Sequence, residues 1–271
     1  MAEFPTIAGF KIISLLGAGG VAKVYLGIQE KLKRKVAIKF LNPFFLKDKV
    51  VASRFEREAK TAASLSHSNI IQIFDTGKSG DYYYIVMEYM EESLRERMKL
   101  DPQHKIHPDT ALPIIEDILK ALDYAHLRGV YHRDIKPENI MFRQDNTPVL
   151  VDFGIARVYD SSIQLTGSDS IIGTIHYMSP EQCNAVEVDG RSDVYSLGVV
   201  LFEMLTGEKP YRGKKWISVL HQHIEKPVPN LPRELNRYQP LIDYMMAKDR
   251  EKRISTGAQF VRLLNRIMPP Q

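Results

Sequence analysis

The chain has 271 residues, 44% of them hydrophobic and 26% charged, enough for one large globular domain or two lobes sharing a core. Lysine and arginine number 37 against 33 acids, and a surplus of +4 is too small to point to nucleic acid. Cys183 alone excludes an internal disulfide, no apolar run approaches the ~20 residues of a spanning helix, and the opening MAEFPTIAGF lacks the order of a secretory leader, so a cytoplasmic segment without membrane contact is expected.

The first third reads as strands. Phe10-Lys11-Ile12-Ile13 runs into a glycine cluster, and Val24, Leu26 and Ile28 then alternate at period two. Arg34 to Leu41 carries the apolar group Val36, Ala37, Ile38. Ile70 to Phe74 and Tyr82 to Met87 are two further β-rich runs, bounded by Asp75-Thr76-Gly77 and Ser79-Gly80-Asp81. Between these strands, Ser53 to Leu65 keeps a helical repeat. Beyond about residue 92 helices dominate. Leu112, Ile115, Leu119 and Leu122 recur at helical spacing, with Gly129 placed to cap the end. Ser192 to Leu205 is apolar on nearly every side, as a helix buried inside a lobe would be. Pro227, Pro229 and Pro232 mark an irregular stretch before the last helices.

The glycine cluster Leu16-Gly17-Ala18-Gly19-Gly20-Val21-Ala22-Lys23-Val24 has three readings. It fits a relaxed dinucleotide fingerprint, a phosphate-covering glycine loop, or a plain hairpin turn. Both ligand readings rest on glycine's missing Cβ, which lets backbone amides approach phosphate. A dinucleotide fold needs a helix next and an acid ~20 residues on. Here a strand follows, and Lys39 stands where the acid would be. On the helix after it, steps of 100° place Glu58 with Phe55, Ala62 and Leu65 on the apolar face and Glu56 on a mixed side. A buried carboxylate needs a partner, and a Lys39–Glu58 pair is the expected answer.

Further on, Tyr131-His132-Arg133-Asp134-Ile135-Lys136-Pro137-Glu138-Asn139 is followed by the short strand Val149-Leu150-Val151 and by Asp152-Phe153-Gly154. Together with the glycine loop and the strand lysine, these segments resemble the protein kinase family: H-R-D-x-x-x-x-N, then D-F-G. The segments around Lys136, Met178-Ser179-Pro180-Glu181-Gln182 and Ser192 to Gly198 look most like the bacterial eukaryotic-type serine/threonine kinases. The resemblance spans about Phe10 to Ile267 and departs from the pattern at Ala22, where a third glycine is usual, and at Ser179, where alanine is usual.

The resemblance implies an α+β, bilobal fold. A small antiparallel β-rich lobe with one main helix covers about 10–87, a hinge 88–91, and a larger helical lobe about 92–267, with flanking ends 1–9 and 268–271. It implies transfer of the γ-phosphate of ATP to serine or threonine hydroxyls, with Mg²⁺, or Mn²⁺ in its place. Asp134 would orient the acceptor hydroxyl, Lys136 and Lys39 would hold phosphate, and Asn139 and Asp152 would hold metal. Leu16, Gly17, Gly19, Val24, Ala37, Lys39, Glu58, Glu88, Met90 and Met141 would surround the nucleotide, the hinge through its backbone. Thr174 would contact Asp134 and Lys136, Glu181 would pair with Arg253, and Asp193 would bond the backbone near His132 and Arg133.

The hydroxyl-rich stretch Ile155 to Glu181 resembles an activation segment, with Thr166 and Ser168 as its expected sites of self-phosphorylation and Arg133 as the phosphate's receiver. Glu91, Glu92, Glu96 and Glu138 could attract basic substrate side chains. Protein substrates are the implied partners, pairing through the small lobe is an arrangement such domains use, and relatives often carry a membrane anchor beyond the catalytic part. The alternative is a binding or scaffold module with this fold and no transfer; retention of Lys39, Glu58, Asp134, Asn139 and Asp152 argues against it.

Overall fold

The structure, a computed structural model, describes residues 5–19, 22–42, 53, 55, 59–80, 82–153, 173–213 and 215–269. Glu58, Thr166 and Ser168 lie outside the described residues, so the Lys39–Glu58 pairing and the phosphorylation sites have no structural counterpart here.

Five strands form one antiparallel sheet in the order β1-β2-β3-β5-β4, namely β1 Phe10–Ala18, β2 Ala22–Gln29, β3 Arg34–Leu41, β4 Ile73–Ser79 and β5 Tyr82–Glu88. Alternation sorts their side chains onto two faces. Tyr25, Val36, Ile38, Phe40 and Val86 pack together on one face, with Phe40 edge-on to Tyr25 at 5.6 Å between ring centroids. Ala37, Leu41, Ile85 and Met87 pack on the other, joined by Phe55, Ala59, Val149 and Val151. The described residues of 53–63 are helical, as the repeat predicts. Ile70 does not open a strand as expected. The main chain there is already committed, because Leu150 donates to the Asn69 carbonyl at 2.9 Å and Ile71 to the Leu150 carbonyl at 3.0 Å. The Asn69 amide adds a bond to the Pro148 carbonyl at 2.8 Å, and regular pairing with β5 begins only at Ile73.

The rest is mainly helical around a second, larger core. A small sheet joins β6 Glu92–Ser93, β7 Ile140–Phe142 and β8 Pro148–Leu150. Helix α1, Leu94–Leu100, is opened by Ser93 and Glu96 in a reciprocal capping box. Helix α2, Pro108–His126, begins with proline in its first turn, where a missing N–H costs nothing, and buries Leu112, Ile115, Leu119 and Leu122. It ends at His126, three residues before Gly129, whose left-handed φ of 70° turns the chain while its amide returns to the His126 carbonyl at 2.9 Å. Helix α3 is the short turn Pro180–Cys183.

Helix α4, Gly190–Thr206, has every residue from Ser192 to Leu205 buried, matching the apolar run in the sequence. Burial of each large aliphatic side chain along it contributes about 1.5–3 kcal/mol, making this helix the axis on which the lobe packs. Its last turn closes at Gly207, φ 72°, where a Cβ would meet the Gln103 carbonyl oxygen at 1.9 Å. Helices α5, Trp216–Glu225, α6, Gln239–Met245, and α7, Gly257–Ile267, complete the lobe, and residues 227–232 are irregular as the three prolines require.

Candidate active site

Between the two cores, Val24, Ala37, Met87, Met90, Met141, Val149 and Val151 meet in one apolar cluster. Val24 lies opposite Lys39 in the β2–β3 ladder, and Ala37 opposite Met87 in β3–β5, so sheet register alone places these side chains along one wall. Glu88 donates its amide to the Gln72 carbonyl at 2.9 Å, and its carboxylate accepts from Arg143 Nε at 2.7 Å and Nη2 at 2.9 Å. What it has left for a ligand is its main-chain carbonyl. Above the cluster, the Gly19 amide donates to the Ala22 carbonyl at 2.9 Å, closing the β1–β2 turn. Among the described residues, a Cβ at Gly17 would touch nothing within 4 Å, and one at Gly19 only the Ala22 oxygen at 3.6 Å. The packing of the described residues therefore does not demand glycine at either place. Leu16 stands exposed beside them on β1, and Ala22 is buried at the start of β2, where it pairs with Leu41.

Below the cluster the polar groups converge. The Asp134 carboxylate, 8% exposed, accepts from Lys136 Nζ at 2.8 Å and Asn139 Nδ2 at 3.0 Å, both at Oδ2. Among the described residues its buried Oδ1 finds no donor. A buried carboxylate oxygen without a partner is costly, and an acceptor hydroxyl arriving there would relieve the cost. Lys136 also donates to Thr174 Oγ1 at 3.0 Å, as the resemblance implies. Asn139 Nδ2 also reaches the Asp134 carbonyl at 2.8 Å, so the amide oxygen is what Asn139 has left to offer. The Asn139 carbonyl accepts the Val151 amide at 2.9 Å, which places Asp152 beside it in the chain.

Lys39 Nζ lies 2.7 Å from Asp152 Oδ1. Burial works to raise the Asp152 pKa, but the Lys39 ammonium outweighs it, with smaller help from Lys136, and holds the carboxyl below its ordinary value. Asp152 and Arg133 both adopt positive φ, 61° and 67°, conformations that cost non-glycine residues energy and persist only where the surroundings impose them.

Those surroundings are visible. Asp193, 1% exposed, accepts the amides of His132 at 2.9 Å and Arg133 at 2.7 Å, and His126 Nε2 lies 2.8 Å from it. Burial opposes its ionisation, yet the bond to His126 and the charges near it hold its pKa below the usual carboxylate range. Gln182 Nε2 donates to the Arg133 carbonyl at 3.0 Å from the other side. The fully buried His132 ring bridges the Asp134 amide, at Nδ1, and the Val151 carbonyl, at Nε2, and packs on Phe153 with centroids 4.8 Å apart. Burial lowers its pKa, so it serves as a neutral strut.

Glu181 and Arg253 form the expected pair, at 2.7 and 3.2 Å, both buried. Ser179 accounts for its departure from alanine. Its hydroxyl accepts the Gln182 amide at 3.3 Å while Gln182 Oε1 accepts the Ser179 amide at 2.8 Å, a capping box that opens helix α3. Arg133 itself is exposed, with its guanidinium carbon 5.9 Å from the Tyr131 ring centroid. Sequence reasoning did not find the cluster of Arg95, Glu138, Tyr177 and Glu203 next to this site. One signal was present: Glu203 is an acid within the otherwise apolar stretch Leu197–Leu205 of helix α4, and such an acid requires a partner.

Residues 10–263 match the family model of the protein kinase domain. The chain is 39% identical over 274 residues to the serine/threonine-protein kinase PknB of Mycobacterium leprae, covering 97% of this chain and 44% of that protein. It is 41% identical over 224 residues to the serine/threonine-protein kinase PrkC of Bacillus subtilis, covering 83% and 34% respectively. The chain thus spans less than half the length of these relatives. The crystal structure of the Mycobacterium tuberculosis PknI kinase domain superposes with a TM-score of 0.75 at 26% identity, covering 98% of this chain and all of that one.

Proposed function

The chain belongs to the protein kinase family, and on that premise we propose that it transfers the γ-phosphate of ATP to serine and threonine hydroxyls of proteins. The observation that carries the reading is Asp134. Its one committed oxygen faces Lys136 and Asn139, and its other is buried without a donor among the described residues. That is the disposition wanted of a group that must hold and orient a hydroxyl.

The adenine ring would lie between Val24 and Ala37 above and Met141 below, bonded to the main chain of Glu88 and Met90. The triphosphate would run beneath Gly17 and Gly19, into the space their missing side chains leave, with Lys39 as its cation. Asn139 and Asp152 present hard oxygen donors suited to Mg²⁺, or Mn²⁺ in its place. Such a cation, when bound, neutralises phosphate charge and fixes its orientation. Asp134 aligns the acceptor oxygen and takes its proton late in transfer, while Lys136 stays paired with Asp134 and Thr174, within reach of the moving phosphoryl group. Phosphoryl transfer asks for alignment and charge neutralisation above all, and these residues supply both.

We also propose that the enzyme phosphorylates its own segment at Thr166 and Ser168, with the exposed Arg133 receiving the phosphate. No described helix is long and apolar enough to cross a membrane. A small-lobe homodimer belongs to the same proposal.

The test is incorporation of radiolabelled phosphate from ATP into a generic acceptor protein, comparing wild type with Asp134→Asn. Wild-type incorporation on serine and threonine, reduced at least about a hundredfold in the variant while nucleotide binding is kept, is the expected result. Equal incorporation by both proteins would overturn it.

A further inference from the structure

Beside the proposed acceptor site sits an acidic recess that is already full. Glu138 stands between Lys136 and Asn139 in the chain, and Tyr177 lies three residues beyond Thr174, the partner of Lys136. Glu203 closes the recess from helix α4. Into it reaches Arg95, from helix α1. Its Nε donates to Glu138 Oε1 at 2.7 Å, its Nη1 to Glu203 Oε1 at 2.9 Å, and its Nη2 to the Tyr177 hydroxyl. Tyr177 in turn donates to Glu203 Oε2 at 2.6 Å. All three guanidinium nitrogens are engaged. The Arg95 side chain is 20% exposed and Glu203 5%, whereas Glu138 remains 46% exposed.

The other acids that could draw a basic substrate are committed as well. Glu92 holds Arg97 at 2.7 Å, and Glu96 returns to the Ser93 amide at 2.7 Å as a helix cap. Glu91 faces Lys35 at 3.4 Å, both more than half exposed, which makes it the weakest of these attachments. Lys209, half-buried, sets a further cation 5.6 Å from the Tyr177 ring centroid.

Accepting the kinase reading above, we propose that Arg95 occupies in cis the subsite that would otherwise read a substrate arginine, so that the enzyme is indifferent to basic residues flanking the acceptor. The recess has the shape a guanidinium requires, two carboxylates and a phenol arranged around one fork, because it holds one already. A substrate arginine would have to displace a partner that never leaves the chain and gains no entropy on release. Removing the guanidinium while keeping its aliphatic stem opens the recess, and a substrate arginine then finds Glu138 without its arginine and Glu203 held only by the Tyr177 hydroxyl.

The experiment uses acceptor peptides identical except for one arginine moved through the flanking positions, each assayed for kcat and KM. Wild type is expected to favour no arginine position by more than about threefold. Arg95→Met is expected to gain about tenfold or more in kcat/KM at one position, chiefly through KM, as one recovered charge-assisted hydrogen bond warrants. Arg95→Met/Glu138→Gln should lose that gain. A merely structural role for Arg95 would lower all peptides together and leave their ratios unmoved. Wild-type preference for an arginine by about tenfold overturns the proposal, even should Arg95→Met fail to fold. Transfer by Arg95→Met without any arginine gain does the same. Absence of transfer by wild type to every peptide would sink the kinase reading and this one with it, whereas transfer with strong arginine preference sinks this one alone.

Discussion

Lys39 and Asp152 neutralise each other across the site, Nζ to Oδ1 at 2.7 Å, although 113 residues separate them in the chain. Each is proposed to have another partner when nucleotide is present, phosphate for the lysine and metal for the carboxylate. Asp152→Asn should therefore leave nucleotide affinity insensitive to chelation of divalent cations, while in wild type chelation weakens it about tenfold or more. Lys39→Met should weaken ATP binding with or without cation. Titration of a fluorescent ATP analogue with and without EDTA separates the two; equal chelator sensitivity in wild type and Asp152→Asn would count against the assignment.

Gly19→Ala separates folding from binding. Among the described residues a Cβ there meets only the Ala22 oxygen, at ordinary contact distance, so the variant should melt no lower than wild type. The methyl would stand in the path proposed for the phosphates, and KM for ATP should rise several-fold. A melting temperature lowered by more than about 4 °C would show that the glycine serves the fold instead.

Arg253→Met leaves the Glu181 carboxylate buried with a hydroxyl partner in Ser192 but no cation. Loss of one member of a buried ion pair costs about 3–5 kcal/mol, more than loss of both. Denaturant unfolding should show Arg253→Met less stable than wild type by that amount, and Arg253→Met/Glu181→Gln should recover part of it. Indistinguishable stabilities for the single and double variants would contradict the argument.

The dependence of stability on pH follows from the same groups. His132, His176 and His223 have pKa values lowered by burial, His223 to about 3, so the folded state binds fewer protons than the unfolded chain below about pH 6.5. Their contribution is complete above that value and declines as pH falls. Asp152, Glu181 and Asp193 are depressed, so theirs is present above about pH 4 and lost below it as they protonate. Melting temperature should sag from pH 6.5 and drop more steeply under pH 4. Arg253→Met should show a shallower acid drop, since Glu181 no longer has a cation to hold its pKa down.

Much of this was legible in the residues because kinase motifs are contiguous. Asp134, Lys136 and Asn139 fall within six positions, and local chain geometry brings them together whatever the rest does. Asp193 was readable through the family resemblance alone, since an acid near the start of a helix is otherwise unremarkable. Long-range polar partners were not legible. Arg95 reaches Glu138 and Glu203 across 43 and 108 residues, and periodicity says nothing about which of several arginines will do so. Glu91, Glu92, Glu96 and Glu138 read as a basic-substrate lure in the sequence, and the fold supplies each with a partner. Ile70 read as a strand because propensity is local, while its hydrogen-bonding partners were fixed by Leu150 from the other lobe.

The β7–β8 hairpin grips the upper sheet at two separate points, Asn69 with Leu150 on one side and Glu88 with Arg143 on the other. Met87 and Val149 pack in one cluster beside these attachments, whereas Gly17 and Gly19 sit at the β1–β2 turn, on strands that neither attachment touches. The end proposed to hold the base should therefore keep constant dimensions while the glycine tip yields. Adenosine, which would reach only the anchored end, should bind Gly19→Ala as tightly as wild type, and calorimetry showing a matched loss for adenosine and ATP would refute this division.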